Sequence, residues 1–305
     1  MDPFHIKTPL IQSQNLNRAL GKRIHFKLEL LQPSRSFKLR GIGKLCQHQW
    51  QQGVKYFVAS SGGNAGATVA YCGQQLGVPT TIFIPSTSHP LYIDAIKSFG
   101  AQVIVAGDVW DEAHQAAEAF ALEKRAAYIP PFDHPMLWDG YATMIEEVVE
   151  EGIEAPDAVI LSVGGGGLAC GALNGMHQQG WFDTPLICVE TIGADAFFQS
   201  AKANRLVKLP AITSKATSLG AKQITNKLME WQSVHPVKNV VVSDESAEQG
   251  SYAFANDLGL LAETSSGAAL SIVYGNHEVI DEYSNILVIA CGGLNTSHLI
   301  PSECA

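Results

Sequence analysis

Apolar and polar positions along the chain fall into short blocks that alternate between two periods. The sharpest block is residues 158–163 (AVILSV), an apolar run that ends abruptly in Gly164, Gly165, Gly166 and Gly167. Small and apolar residues follow through Leu168, Ala169 and Leu173, so the pattern predicts a buried strand, a tight turn and a helix start. Upstream, residues 23–30 alternate as a strand, and a turn on Pro33 leads into a helical stretch through Trp50. Strands are predicted at 56–59, 80–84 and 102–105, with helices at 64–76, 89–99 and 112–124. The run Ile129-Pro-Pro-Phe-Asp-His-Pro135 breaks the pattern and reads as a return crossing between two lobes.

Beyond it the pattern predicts a helix at 140–151, a strand at 186–190 and a helix at 195–203. After a less regular patch at 209–225 comes a strand at 237–242, ending at Ser243 as a helix N-cap with Glu248 in that helix. A helix beginning near Ser266 and a strand at 286–290, closed by Cys291-Gly-Gly293, complete the chain. Strands alternating with helices imply an α/β protein of two lobes, each a mostly parallel twisted sheet flanked by helices.

Composition narrows the partners. With 46% hydrophobic and 16% charged residues over 305 positions, a full core can be buried. A net charge of −9 argues against nucleic acid or an anionic membrane as the main partner. No transmembrane run is visible, and the start (Met1, Asp2, Pro3, Phe4, His5) lacks the form of a signal peptide, so a cytoplasmic protein is expected. Cys46, Cys72, Cys170, Cys188, Cys291 and Cys304 fall in no CxxC or zinc spacing and read as free thiols, most of them buried. The ten histidines are scattered, and no transition metal is expected.

The glycine turn carries the first chemistry. Four consecutive residues without Cβ let backbone N–H groups converge on one spot at a helix N-terminus, which suits a phosphate. Gly164, Gly166 and Ala169 also satisfy GxGxxA, and Glu190 ends the next strand where a ribose-binding acid would fall. On this motif alone the owner of the phosphate stays open between a dinucleotide and another cofactor. Two further stretches bear on it. In Pro33-Ser-Arg-Ser-Phe-Lys-Leu-Arg-Gly41, Lys38 follows Phe37 at a helix start, where a partly buried amine has a lowered pKa. In Ser60-Ser-Gly-Gly-Asn-Ala-Gly66, backbone donors and Asn64 suit a carboxylate.

SFKLRG, SSGGNAG and SVGGGG, in that order, resemble the pyridoxal-phosphate enzymes of the serine/threonine dehydratase group, which have the tryptophan-synthase-like (type II) fold. The likeness runs from Thr8-Pro9-Leu10 through IPPFDHPMLWDG and VETIGA to CGGLN, and is strongest toward L-serine dehydratases. The resemblance implies a large cofactor-binding domain of residues 1–38 and 136–305, with a small domain of 39–135 that closes over substrate. Lys38 would hold pyridoxal phosphate as a Schiff base and act as the general base, with Phe37 against the cofactor ring. Gly164, Gly165, Gly166, Gly167 and Leu168 would cradle the phosphate, Asn64 would bond the ring oxygen, and Ser266 would face the pyridine nitrogen. Ser61, Gly62, Gly63, Asn64 and Ala65 would grip the carboxylate of an amino-acid substrate. Gly164, Glu190, Ala194, Leu219 and Ala221 match where relatives hold a monovalent cation, which makes potassium an implied ligand.

Three departures qualify the likeness. Ser266 occupies a position where some serine dehydratases have Cys, and its neutral hydroxyl cannot stabilise a protonated pyridine as an Asp would. Arg35 stands where relatives usually have Gly, so either the backbone differs there or a charge faces the cleft. Gly62 stands where racemases and many threonine dehydratases carry a Ser, whose hydroxyl would be the acid/base on the face opposite the lysine. Reprotonation from that face is therefore expected to lack a donor, and racemisation to be poor. The expected activity is a cytoplasmic, homodimeric L-serine (and L-threonine) ammonia-lyase. The alternatives are a serine racemase or O-acetylserine-type synthase of the same fold, an NAD-binding dehydrogenase, or a catalytically weak cofactor-binding regulator. Only residues 294–305 follow the last glycine motif, so an appended amino-acid-sensing domain is not expected and a degradative role is.

Overall fold

A computed structural model describes residues 1–299. Cys304 lies outside the described residues. A six-stranded sheet is built from β1 (Leu10–Gln12), β2 (Arg23–Lys27), β7 (Ala158–Ser162), β8 (Leu186–Thr191), β9 (Val237–Val242) and β10 (Asn285–Ile289). Its order is β1-β2-β10-β7-β8-β9, antiparallel only between β1 and β2. A four-stranded, all-parallel sheet has the order β5-β4-β3-β6, from β3 (Phe57–Ala59), β4 (Thr80–Ile84), β5 (Gln102–Val105) and β6 (Ala127–Tyr128). Every strand of this smaller sheet lies within residues 39–135.

The helices are α1 (Gln14–Leu20), α2 (Lys38–Gln51), α3 (Asn64–Leu76), α4 (Pro90–Ser98), α5 (Trp110–Lys124), α6 (Pro135–Glu150), α7 (Gly167–Gln178), α8 (Ala196–Ala203), α9 (Asn226–Gln232), α10 (Asp244–Leu258) and α11 (Thr264–Tyr274). Strands β4, β7, β8 and β10 are buried at every position, as parallel strands covered on both faces must be. One apolar cluster runs from Leu39, Ile42 and Phe57 through Leu137 and Met144 to Leu173 and Ile289, so both sheets share a core.

The structure departs from the sequence pattern mainly in short elements. Helix α6 begins at Pro135, not near Gly140, because His134 caps it and Pro at the first helical position costs no hydrogen bond. Elements β1, α1, β6 and α9 were not predicted; they span two to seven residues, too few for a period to show. Ser243 does cap α10, its hydroxyl accepting from the Ser246 N–H at 3.1 Å. Cys46, Cys72, Cys170, Cys188 and Cys291 are free and buried.

Candidate active site

Two strand-to-helix turns face each other at the carboxyl ends of parallel strands, where open α/β sheets place ligands. One joins β3 to α3, the other β7 to α7. Between them lies a cavity of about 1170 Å³ whose wall includes Lys38, Ser61–Ala65 and Gly164–Leu168.

The glycine turn is shaped by contacts that exclude side chains. Gly166 has φ +92°, a conformation glycine adopts without strain. A Cβ on Gly165 would stand 2.5 Å from the Phe132 ring, and one on Gly167 would stand 2.7 Å from the Phe132 carbonyl oxygen. The Gly165 carbonyl accepts from Thr225 N–H at 2.9 Å and the Gly166 carbonyl from Cys170 N–H at 2.9 Å. Across a planar peptide the N–H groups that follow point the other way. Among the described residues, no acceptor takes the N–H groups of Gly164, Gly165, Gly166, Gly167 or Leu168. Free donors at a helix start form an anion cradle.

The β3–α3 turn offers a second set. The N–H groups of Ser61, Gly62, Gly63, Asn64 and Ala65 likewise have no acceptor among the described residues. Gly66 is closed down on the turn, since a Cβ there would lie 1.9 Å from the Ser61 carbonyl oxygen.

Lys38 is the first residue of α2 and is tied to the end of β10, because Phe37 N–H donates to the Cys291 carbonyl at 3.0 Å. Its Nζ donates to the Pro131 carbonyl at 3.0 Å and lies 5.0 Å above the Phe37 ring. Phe37 packs edge-on against Tyr141, ring centroids 4.9 Å apart. Burial lowers the Lys38 amine to about 8, against the opposing pull of Cys291 and Glu263.

Below it sits a polar floor that the sequence did not disclose. Asn64 Nδ2 donates to Glu263 Oε1 at 2.7 Å and to Ser218 Oγ at 3.3 Å, and the Tyr92 hydroxyl donates to Glu263 Oε2 at 3.3 Å. Burial raises the Glu263 carboxyl, opposed by these donors. Asn64 Oδ1 is buried without a partner among the described residues. Such an orphaned acceptor beside free N–H groups and a basic amine fits a bound polar group with an anionic end.

Several residues take places other than those the sequence suggested. Ser266 lies behind the cavity wall: its hydroxyl donates to the Gly292 carbonyl at 2.7 Å, accepts from Gly292 N–H at 2.8 Å and sits 3.2 Å from Cys291 Sγ. The wall atom there belongs to Cys291, whose thiol burial pushes up to about 12. Arg35 is exposed and off the cavity wall, with φ +58°, so the backbone keeps the conformation that suits Gly and no charge enters the cleft. The face beside Gly62 is not without a hydroxyl, as the sequence suggested, because Ser88 Oγ lies 1.9 Å from where a Cβ of residue 62 would stand.

Of the residues read as cation-binding, Gly164 abuts Leu219, whose carbonyl oxygen is 3.3 Å from a Cβ built on Gly164. Ala221 N–H donates to that same carbonyl at 2.8 Å, and Ala194 packs in the same buried cluster as Leu219. The Glu190 carboxylate accepts from Phe197 N–H at 2.8 Å and Phe198 N–H at 2.7 Å, capping α8. Among the described residues, no cluster of three or more His, Cys, Asp or Glu could hold a metal. No helix among them is long and apolar enough to cross a membrane. The sequence does not single out Phe132, Glu263, Tyr92 or Ser218, although Phe132 follows Pro130-Pro131 in the inter-lobe crossing and Glu263 opens the ETSSGAAL stretch that holds Ser266.

Comparison with known proteins agrees with this geometry. Residues 1–292 match the family described as pyridoxal-phosphate dependent enzyme. The chain is 42% identical to the L-serine dehydratase/L-threonine deaminase of Homo sapiens, covering 97% of this chain and 93% of that one. It is 39% identical to the L-serine dehydratase of Dictyostelium discoideum, over 97% and 90% of the two chains. Among solved structures, a fungal L-serine ammonia-lyase from Rhizomucor miehei superposes with a TM-score of 0.90 at 35% identity, covering 96% of this chain and 95% of that one.

Proposed function

From the premise that this chain belongs to the pyridoxal-phosphate dependent enzymes, we propose that it is an ammonia-lyase for L-serine and L-threonine, yielding pyruvate or 2-oxobutyrate and ammonium. The observation that carries the reading is the Lys38 amine, lowered by burial, in a cavity between two sets of free backbone N–H groups. Gly164–Leu168 would hold the cofactor phosphate, Lys38 its aldehyde carbon, and Phe37 and Cys291 would flank its ring. When bound, the cofactor supplies an electron sink for the pair left at the substrate Cα.

The chain's own groups do the rest. N–H donors of residues 61–65 bind and orient the amino acid through its carboxylate. Lys38 Nζ removes the Cα proton, a role suited to an amine that titrates near working pH. The β-hydroxyl leaves with a proton from Lys38 Nζ, and aminoacrylate hydrolyses to pyruvate and ammonium. Closing the small lobe excludes water from the cavity.

Five buried free thiols support a reducing, cytoplasmic setting. A homodimer belongs to the same proposal, supported by exposed Phe182 and Val234 near His177 and Trp231; light scattering at the mass of one chain would remove that part. The contact of Gly164 with Leu219 supports the potassium site, and an activity titration with KCl against a non-binding salt tests it.

The deciding experiment follows the visible spectrum of the purified enzyme on adding L-serine, with pyruvate assayed in parallel. An absorption band that shifts while pyruvate accumulates is expected, and Lys38→Ala should lower kcat by roughly 10³-fold or more with the fold intact. A shifted band without pyruvate would overturn the lyase reading in favour of a racemase or synthase.

A further inference from the structure

Gly62 sits in the middle of the donor turn, yet its side-chain space is already taken. A Cβ built there would meet Ser88 Oγ at 1.9 Å and Ser88 Cβ at 2.7 Å, with Ile84 Cβ at 3.5 Å. Ser88 comes from a different segment, the turn between β4 and α4. That turn is pinned along its length: Ser88 N–H donates to the Pro85 carbonyl at 3.1 Å, and Ser86 N–H to the Gly107 carbonyl at 2.9 Å. Ser86 Oγ donates to Asp108 Oδ1 at 2.6 Å. Immediately after it, His89 caps α4 and Pro90 occupies the first helical position. The Ser88 Cα is therefore held in place by its backbone, and in this rotamer its hydroxyl stands over Gly62.

That hydroxyl lines the cavity and has no hydrogen-bond partner among the described residues. A Cα–Cβ bond is about 1.5 Å, so Ser88 Oγ stands within roughly 3.4 Å of the Gly62 Cα. The free N–H groups of Gly62 and Gly63 flank that carbon. An anion seated on those N–H groups falls within reach of the Ser88 O–H.

We propose that Ser88 is a substrate-binding residue, its hydroxyl donating to the amino acid's carboxylate alongside the N–H groups of the Ser61–Ala65 turn. The inference deepens the amino-acid-lyase reading and rests on it for the identity of the anion. It also gives Gly62 a reason: residue 62 carries no side chain because residue 88 supplies the polar atom at that point. A methyl group at 62 would push the Ser88 hydroxyl away from the carboxylate.

The test uses the holoenzyme and reads both steady-state kinetics with L-serine and calorimetric binding of L-alanine, which carries the same carboxylate but no leaving group. Ser88→Ala should raise KM roughly tenfold while kcat falls less than twofold, because a charge-assisted hydrogen bond is lost from ground and transition states alike. The Kd for L-alanine should rise by the same factor. Gly62→Ala should give a similar KM rise, and the double variant should be no worse than either single one. Ser88→Thr, which keeps the hydroxyl, should recover most of the affinity.

If KM and the L-alanine Kd stay at wild-type values in Ser88→Ala, the assignment is wrong while the lyase reading stands. A fully additive double variant would also refute it. Should the wild type form no pyruvate, the lyase reading fails by itself, and the L-alanine Kd still decides the role of Ser88. A wild type that neither forms pyruvate nor binds L-alanine would overturn both.

Discussion

At the scale of single residues, Arg35 shows how a backbone can outlast its usual side chain. It holds φ +58° between two fixed bonds, its N–H donating to the Gln32 carbonyl at 2.6 Å and its carbonyl accepting from Gly293 N–H at 3.0 Å. A left-handed L-residue costs about 1–2 kcal/mol. A glycine gives back about 0.4–1 kcal/mol through the freedom of the unfolded chain. Arg35→Gly should thus raise stability by roughly 0.5–1 kcal/mol, seen as a higher urea midpoint at unchanged slope. Lys38 was legible because its type, its aromatic neighbour and its helix start all coincide in one short stretch. Glu263 was not, for nothing local marks a carboxylate whose partners, Asn64 and Tyr92, lie 199 and 171 positions away.

At the scale of elements, glycines decide how the helices that carry the site meet. A Cβ on Gly41 of α2 would stand 2.5 Å from the Leu137 carbonyl oxygen of α6. One on Gly140 of α6 would stand 2.5 Å from the Arg40 carbonyl oxygen and from the Gly41 Cα. The two backbones touch, one turn from Lys38. On its other side α6 presses on α7, where a Cβ on Gly171 would meet Tyr141 Cβ at 2.3 Å. The chain of contact thus runs from the helix that carries Lys38 to the helix that opens on the glycine turn. Gly140→Ala should cost about 1–3 kcal/mol, read by thermal unfolding. It should also slow pyruvate formation, since forcing α2 and α6 apart moves Lys38 relative to the glycine turn.

At the scale of the molecule, a buried ionic cluster joins the amino-terminal segment to the helices. Arg40 donates from Nε and Nη2 to Glu29 at 2.7 Å each and from Nη1 to Glu147 Oε1 at 2.6 Å. Lys27 Nζ reaches Glu147 Oε2 at 2.5 Å, and Thr8 Oγ1 donates to Glu29 Oε1 at 2.6 Å. Both Arg40 and Glu29 are wholly buried, so removing one partner strands a charge away from water. Glu29→Ala should lower stability by roughly 3–5 kcal/mol in urea titration. The ion pairs between Asp111 and both Lys208 (3.6 Å) and Lys222 (3.2 Å), which span the cleft mouth, lie in a wetter setting. Asp111→Ala should change stability by less than about 1 kcal/mol in the same titration.

The α/β alternation, the long buried strands and the two glycine-bearing turns were determined by the sequence alone, because periodicity and missing side chains are local properties. The same holds for Lys38 and the free donors of the glycine turn as cavity-lining groups, since each sits within a few consecutive residues. Only the tertiary structure decided that Cys291 and not Ser266 forms the wall, that Glu263, Tyr92 and Ser218 close the floor, and that Ser88 fills the space of Gly62. Those facts depend on which side chains from distant segments arrive at one point, and packing across the fold sets that.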